Sequence, residues 1–196
     1  MRIEILGDNM DSAINILIFV ITAISIIFCF RADGHWDLQA GTKCFRFFTI
    51  LSNLFCAVSA LLLVLSSSYW AWLLKYVGTV AVTVTLLTVI LFLGPNMGYK
   101  QLLSGKDLYL HLCGPLLAIA SFCFMERRYD FSFPLSLLGI LPVIIYGTVY
   151  LFEVVIWKNW EDFYGYNRDG KWKLSMAAMF AGAFAVCMLI RILYSV

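Results

Sequence analysis

Charged side chains are scarce in this sequence, which excludes an ordinary soluble domain. Aspartate, glutamate, lysine and arginine make up 13% of the 196 residues and hydrophobic residues 62%, and the mean hydropathy is +0.88. Apolar runs of about 20 residues recur, and each is long enough to cross a bilayer as a helix. The short alternating strands of a membrane β-barrel are missing. The sequence therefore predicts an all-α, polytopic membrane protein.

The sequence also lacks the features of nucleic-acid binding and of cofactor binding. The net charge is only +2 and the basic residues stand singly or in pairs, so we expect no nucleic-acid partner. The six cysteines form no CxxC motif and have no histidine at zinc-site spacing. No HExxH motif or glycine-rich phosphate loop occurs, and a haem held by two histidines would need a second buried histidine. No metal and no organic cofactor is expected.

Six apolar segments predict a six-transmembrane-helix bundle. We expect a single domain over residues 1–196, with helices at 12–30, 44–65, 70–93, 105–124, 133–157 and 174–194. The Gly94–Asn96 stretch should break the third helix, and Pro142 should kink the fifth. In the sixth helix Ala177, Ala181 and Ala185 are spaced four residues apart, which is typical of a close-packing face between membrane helices.

Polar residues inside the apolar segments cluster near one side of the predicted bundle. Arg46, Thr49 and Asn53 are three and four residues apart, so all three should lie along one face of the second helix. Because the helices alternate in direction, the second and fourth begin on the same side of the bilayer. Thr49 would lie roughly 7 Å and His111 roughly 9 Å along their helices. Pro115 has no N–H for the His111 carbonyl, which predicts a distorted helix at that point.

This arrangement favours nucleophilic catalysis. Threonine is a poor nucleophile unless a base lies beside it, and an imidazole can accept a hydroxyl proton near neutral pH. We therefore expect Thr49 to act as the nucleophile and His111 as its base, in one shallow cavity. Thr88 of the third helix should approach the same cavity. Asn53 or Arg46 would stabilise a developing oxyanion.

The same residues also have a structural interpretation. A threonine in a membrane helix often only hydrogen-bonds backbone or a neighbouring helix, and a buried histidine can serve packing alone. Glu153, at the end of the fifth helix, would either orient the imidazole or pair with Arg46 or Lys158. Tyr164 and Tyr166 would join neighbouring tryptophans in an interfacial aromatic belt. The sequence leaves these alternatives open.

Two stretches carry a resemblance to a known family. Residues 45–53 (FRFFTILSN) and 111–115 (HLCGP), set within six predicted helices, resemble predicted six-transmembrane proteins of bacteria. Those proteins look like relatives of the animal family of androgen-induced and androgen-dependent TFPI-regulating proteins, whose members are intramembrane threonine hydrolases of fatty acid esters of hydroxy fatty acids. By this resemblance Thr49 matches the nucleophile and His111 its partner. Bacterial relatives carry a WYPYP-like stretch after the fifth helix, whereas residues 160–166 read WEDFYGY here.

The resemblance implies an intramembrane lipid-ester hydrolase in a cell membrane, in the bacterial branch the inner membrane. Its partners would be the lipid bilayer and an ester substrate with an acyl chain. Two other classes of function stay open. The chain would otherwise be a non-enzymatic lipid-binding or small-solute transport protein whose cavity only recognises a headgroup. In the third class it is an assembly subunit in which Thr49 and His111 merely hold helices together.

Overall fold

Six helices are long and apolar enough to cross a membrane, in a computed structural model that describes residues 2–32 and 34–196, with side chains from residue 10 onward. We number them as spans 1 to 6: Met10–Cys29, Phe48–Leu65, Tyr69–Met97, Gly105–Phe124, Phe133–Ile156 and Trp172–Ser195. The helix that contains span 1 begins at Arg2. The predicted all-α, six-helix membrane bundle is confirmed.

Short elements connect the spans. Strands Arg31–Ala32 and His35–Trp36 form an antiparallel hairpin after span 1. A helix at Leu38–Cys44 follows, and the Asp37 carboxylate caps its first N–H groups. A helical turn at Tyr99–Leu102 precedes span 4, and a 3-10 turn at Arg168–Gly170 precedes span 6.

Span 2 begins later than predicted. Residues 44–47 were expected inside the second helix, but Phe47 has an extended backbone and the helix begins at Phe48. Arg46 therefore lies in the turn before the helix, and its predicted place on one helix face with Thr49 and Asn53 is wrong. Thr49 is the second residue of span 2, and so lies nearer the end of the bundle than expected.

Span 3 occupies the centre of the bundle and contacts spans 2, 4, 5 and 6. Its Trp72 and Tyr76 rings lie 5.6 and 5.5 Å from the Phe122 ring of span 4. Span 2 packs closely against span 3 at Gly78, where an added Cβ would lie 2.8 Å from the Cys56 Cα. Small residues permit such close backbone contact between membrane helices.

The small residues of span 6 do not form the predicted packing face. Ala177, Ala181 and Ala185 are all exposed. Larger side chains, including Val186 and Ile190, point into the bundle instead. The prediction failed because four-residue spacing identifies a helix face but does not show which neighbour that face meets.

Three spans contain a π-helical turn, and all three turns lie at the end of the bundle where span 2 begins. We call this the Thr49 end, and the opposite end the Lys75 end. The turns cover Val89–Leu93, Tyr109–Cys113 and Phe152–Ile156. His111 lies in the second, which confirms the distortion expected from Pro115. Single π turns are frequent at functional sites in membrane and soluble helices.

Pro95 and Pro142 lie where a π or 3-10 segment gives way to an α-helical turn, and the spans continue through them. Span 3 was expected to break at Gly94, but it continues to Met97 and ends at Gly98, whose φ is +88°. Pro95 lies in the first α-helical turn after a π turn, where its missing N–H costs little. Pro142 likewise follows a 3-10 segment, Leu137–Ile140, in span 5.

Candidate functional site

A cavity of about 590 Å³ opens at the Thr49 end between spans 2, 3, 5 and 6. Its polar lining comes from hydroxyl groups of threonines and tyrosines, including Thr49, Thr85, Thr88, Tyr146 and Tyr164. Most of the remaining wall is aliphatic or aromatic. Apolar pockets with a few placed polar groups are typical small-molecule sites. The cavity therefore suits an alkyl chain with a polar group held at one end.

Thr49 lies in the first turn of span 2, with a half-buried side chain that lines this cavity. The first N–H groups of a helix have no partner within the helix, and Phe47 provides no side-chain cap. The Phe48 N–H instead donates to the Tyr164 hydroxyl, at 3.1 Å. The same phenol also lies beside the Thr49 hydroxyl. Tyr164 thus serves as a cap from a distant part of the chain.

The segment after span 5, residues 157–171, places Tyr164 there. The Asp162 carboxylate accepts the N–H groups of Tyr166 and Asn167, each at 2.7 Å, and the Tyr150 hydroxyl at 3.1 Å. The Tyr150 oxygen in turn accepts the Tyr164 N–H at 3.2 Å. These bonds fold the segment back onto the bundle, where Tyr164, Gly165 and Tyr166 line the cavity.

The expected aromatic belt is therefore wrong for both tyrosines of this segment. Tyr166 is only 7% exposed, and its hydroxyl is buried without a hydrogen-bond partner among the described residues. Tyr164 lines the cavity beside Thr49. Burial raises the pKa of both phenols. The position of the two tyrosines just after span 5 suggested the membrane–water interface. The turn held by Asp162 instead reverses the chain and directs the two tyrosine rings toward the bundle.

Asn53 ties the start of span 2 to the π turn of span 4. Its Nδ2 donates to the carbonyl of Thr49 at 2.8 Å and to that of Leu110 at 2.9 Å. Both hydrogens of the amide are thereby used. Asn53 holds the two helices together, and its amide has no free hydrogen to offer a substrate oxyanion.

His111 follows Leu110 in the π turn and is 8% exposed. Its Nδ1 lies 2.7 Å from the Leu102 carbonyl. A carbonyl can only accept, so Nδ1 carries the proton of the neutral ring and Nε2 keeps a free lone pair. His111 is not among the residues that line the Thr49 cavity. Among the described residues, no hydrogen bond joins its imidazole to the Thr49 hydroxyl.

The remaining predicted residues are dispersed. Thr88 lines the cavity from span 3. The Arg46 guanidinium is exposed and lies 5.8 Å from the Trp160 ring, while its carbonyl accepts the Tyr146 hydroxyl at 2.7 Å. Glu153 is half-buried in the third π turn, away from the cavity lining. In the part of the chain that the structure describes, Glu153 forms no ion pair.

A second polar cluster lies at the Lys75 end, and sequence analysis missed it. The Lys75 ammonium donates to Asn15, to Ser121 at 2.8 Å and to Glu126 at 3.1 Å. The Lys75 and Glu126 side chains are both 0% exposed. The signal was available, since a lysine seven residues into an apolar run needs a buried partner.

No cofactor-binding arrangement emerges from the described residues. Within residues 10–32 and 34–196, whose side chains the structure describes, no group of three His, Cys, Asp or Glu side chains is placed to hold a metal ion. All six cysteines are free thiols. Comparison of the sequence and the structure with protein-family models, curated proteins and solved structures found no match.

Proposed function

We propose that this protein is an intramembrane hydrolase of lipid esters, of the fatty acid ester of hydroxy fatty acid type, with Thr49 as nucleophile. The observation that carries the proposal is the position of the Thr49 side chain in the wall of a largely apolar cavity. An acyl chain would occupy the apolar part and present its ester carbonyl to Thr49. The resemblance of residues 45–53 and 111–115 to intramembrane threonine hydrolases supports the same assignment.

In the proposed reaction the Thr49 Oγ adds to the ester carbonyl carbon while its proton passes to His111 Nε2. The tetrahedral intermediate collapses, the alcohol leaves with the proton from the imidazolium, and an acyl-threonine remains. Water then attacks the acyl group, with His111 again as base, and releases the fatty acid and free Thr49. This is the usual course of acyl transfer through a hydroxyl nucleophile and an imidazole.

The tautomer supports His111 as the base, since the Leu102 carbonyl leaves Nε2 free to accept a proton. The two side chains are not hydrogen-bonded, so the proposal requires substrate binding to bring them into contact, directly or through one water molecule. Catalytic hydrogen bonds are often long before substrate binds. Asn53 joins the two turns by bonding the carbonyls of Thr49 and Leu110.

The other predicted residues take lesser roles in this proposal. Thr88 contacts the substrate from span 3, and the exposed Arg46 guanidinium stands outside the cavity, where it can meet an anionic group of the substrate. Glu153 is not positioned to orient the imidazole, as it does not contact His111 through any described hydrogen bond. We place the enzyme in a cell membrane, the inner membrane if its source is bacterial.

The test is labelling by a fluorophosphonate probe with an alkyl chain, followed by mass-spectrometric mapping of the adduct. We expect the adduct on Thr49, no labelling of Thr49→Ala, and loss of labelling in His111→Ala. Thr148→Ala is the matched control, because Thr148 is an exposed span 5 threonine that bonds only the Ile144 carbonyl. Unchanged labelling of Thr49→Ala in folded protein would refute the proposal.

One observation favours a second candidate, a lipid-binding or small-solute transport protein without catalysis. His111 does not line the Thr49 cavity, so the cavity could bind a lipid with no base at hand. This candidate predicts saturable binding of a fluorescent fatty acid that survives Thr49→Ala, and no covalent adduct on Thr49 in the wild type.

A further inference from the structure

Two phenols reach the start of span 2, and their hydrogens are used differently. Tyr146 donates its hydrogen to the Arg46 carbonyl, at 2.7 Å. The Tyr164 oxygen instead accepts the Phe48 N–H, at 3.1 Å. Among the described residues no carbonyl or carboxylate takes the Tyr164 hydrogen. The Tyr164 hydrogen can therefore point only to a neighbouring hydroxyl oxygen, that of Thr49 or Tyr146, or to a ligand in the cavity that Tyr164 lines.

We propose that Tyr164 is a catalytic residue that donates this hydrogen bond to the carbonyl oxygen as it becomes an oxyanion. The inference rests on the proposed function, in which Thr49 attacks an ester in the cavity. When the Thr49 Oγ bonds to the carbonyl carbon, the carbonyl π pair moves onto oxygen. A donor next to the nucleophile is then within reach of that oxygen, and a placed donor of this kind stabilises the intermediate.

The protonation state of the Tyr164 phenol is consistent with a hydrogen-bond donor and excludes a role as general base. Burial raises the pKa of Tyr164 above its ordinary value, through loss of hydration around the phenolate. The phenol therefore keeps its proton throughout the physiological pH range. The groups that face it are Tyr146, the Thr49 hydroxyl and the N–H groups that begin span 2. None of them is a carboxylate that could take the proton.

The donor is held in place before substrate arrives. The Tyr164 N–H is fixed by the Tyr150 oxygen, and the Asp162 carboxylate fixes Tyr150 in turn. Phe163 packs on the Phe47 ring with centroids 4.5 Å apart, beside the start of span 2. The 18-residue span 2 also directs its positive N-terminus at the same place. Fixed dipoles need no reorganisation during the reaction, which is the condition for strong electrostatic stabilisation.

Sequence interpretation gave the oxyanion role to Asn53 or Arg46. Both hydrogens of the Asn53 amide are spent on carbonyls, and the Arg46 guanidinium lies over Trp160. Tyr164, which is 115 positions from Thr49 in the chain, lines the cavity with a hydrogen that no carbonyl accepts among the described residues. The inference therefore gives the segment after span 5 a role in stabilising the oxyanion, in addition to lining the cavity.

The experiment measures kcat and KM of Tyr164→Phe with a p-nitrophenyl ester of a long-chain fatty acid. We expect kcat to fall about 10²–10³-fold, the range seen when one oxyanion donor is removed, with little change in KM. Tyr129→Phe is the matched control, since that phenol donates to the Ser67 carbonyl at the opposite end. A Tyr164→Phe variant with wild-type kcat would overturn the inference.

A second measurement separates donation from a merely structural role. Fluorotyrosine at position 164 keeps the hydroxyl but ionises at lower pH, so kcat should be retained near neutral pH and be lost at a lower alkaline pH than in the wild type. An alkaline limb that does not move overturns the inference even if Tyr164→Phe is misfolded. Failure of the proposed function looks different, because fluorophosphonate would then either leave wild-type Thr49 unlabelled or still label the Thr49→Ala variant.

Discussion

The buried pair at the Lys75 end gives the sharpest test of how the bundle is held together. Lys75 of span 3 and Glu126, just after span 4, are both fully buried, with Nζ and Oε1 3.1 Å apart. Asn15 of span 1 donates to the same carboxylate oxygen at 2.7 Å. The second oxygen of Glu126 has no hydrogen-bond partner among the described residues. We consider the variants Lys75→Met, Glu126→Gln and their combination.

The attraction between the two charges and the cost of burying them have opposite signs, and the prediction depends on their balance. At 3.1 Å and an effective dielectric constant of about 20, the Lys75–Glu126 attraction is about 5 kcal/mol. Burial of each ion costs several kcal/mol, so the pair adds little net stability. A single substitution leaves one buried charge without its partner, which costs about 3–5 kcal/mol. The double variant removes both charges and should lose less stability than either single variant.

The assay is chemical unfolding of the purified protein in detergent micelles, with the free energy of unfolding compared across the four forms. Lys106→Met is the control, because the Lys106–Asp107 pair is 3.8 Å apart and partly exposed. Such pairs contribute about 0–1 kcal/mol. If the losses of the two single variants simply add in the double variant, the charges are not coupled and the reasoning fails.

Two further predictions concern packing and alkaline pH. Gly78→Ala should lower the free energy of unfolding by about 1–3 kcal/mol, because the new Cβ would lie 2.8 Å from the Cys56 Cα. Gly182→Ala is the control, because a Cβ at that position meets nothing within 4 Å. Equal losses in the two variants would contradict the prediction. Burial raises the pKa of Tyr164 and Tyr166, so the folded segment keeps protons that an unfolded one releases. The stability of the segment should be unaffected below about pH 10 and fall as the pH rises further. The measurement is a pH titration followed by tyrosinate absorbance. Ionisation of Tyr164 and Tyr166 at the same pH as the exposed tyrosines would contradict the prediction.

The membrane class and the number of helices could be predicted from sequence because they depend on local composition. A run of about 20 apolar residues is sufficient to identify a span without any knowledge of its neighbours. The distortion at His111 was predictable for the same reason, since Pro115 acts on the carbonyl four residues before it. The start of span 2 was not predictable, because residues 44–47 are apolar enough to continue a helix and only the folded chain shows the turn.

The candidate site likewise has features that could be predicted from sequence and features that depend on the folded chain. Thr49 and Thr88 could be placed at one end of the bundle by helix direction alone, and both line the cavity. Matching depths could not show whether the Thr49 and His111 side chains point toward one another, since depth does not fix the direction in which a side chain points. His111 shares the end but not the cavity lining. Tyr164 reaches Thr49 only because Asp162 reverses the chain after span 5, a long-range result of a local turn.

The two polar clusters show how the same kind of residue comes to serve packing or chemistry. In a bilayer, apolar surface gives helices no preference for one another, so polar contacts and close packing must specify the arrangement. At the Lys75 end all three ammonium hydrogens have acceptors in the protein, so the ammonium has no hydrogen left with which to bind a ligand.

At the Thr49 end the hydroxyl groups of Thr49 and Tyr164 lie at the wall of a cavity of about 590 Å³, and among the described residues no carbonyl or carboxylate accepts their hydrogens. A ligand with a stronger acceptor would gain hydrogen bonds there that the protein does not make by itself. The position of these hydroxyl groups at the wall of an open cavity, more than the presence of polar residues in a membrane helix, distinguishes the candidate site from the cluster that holds the bundle together.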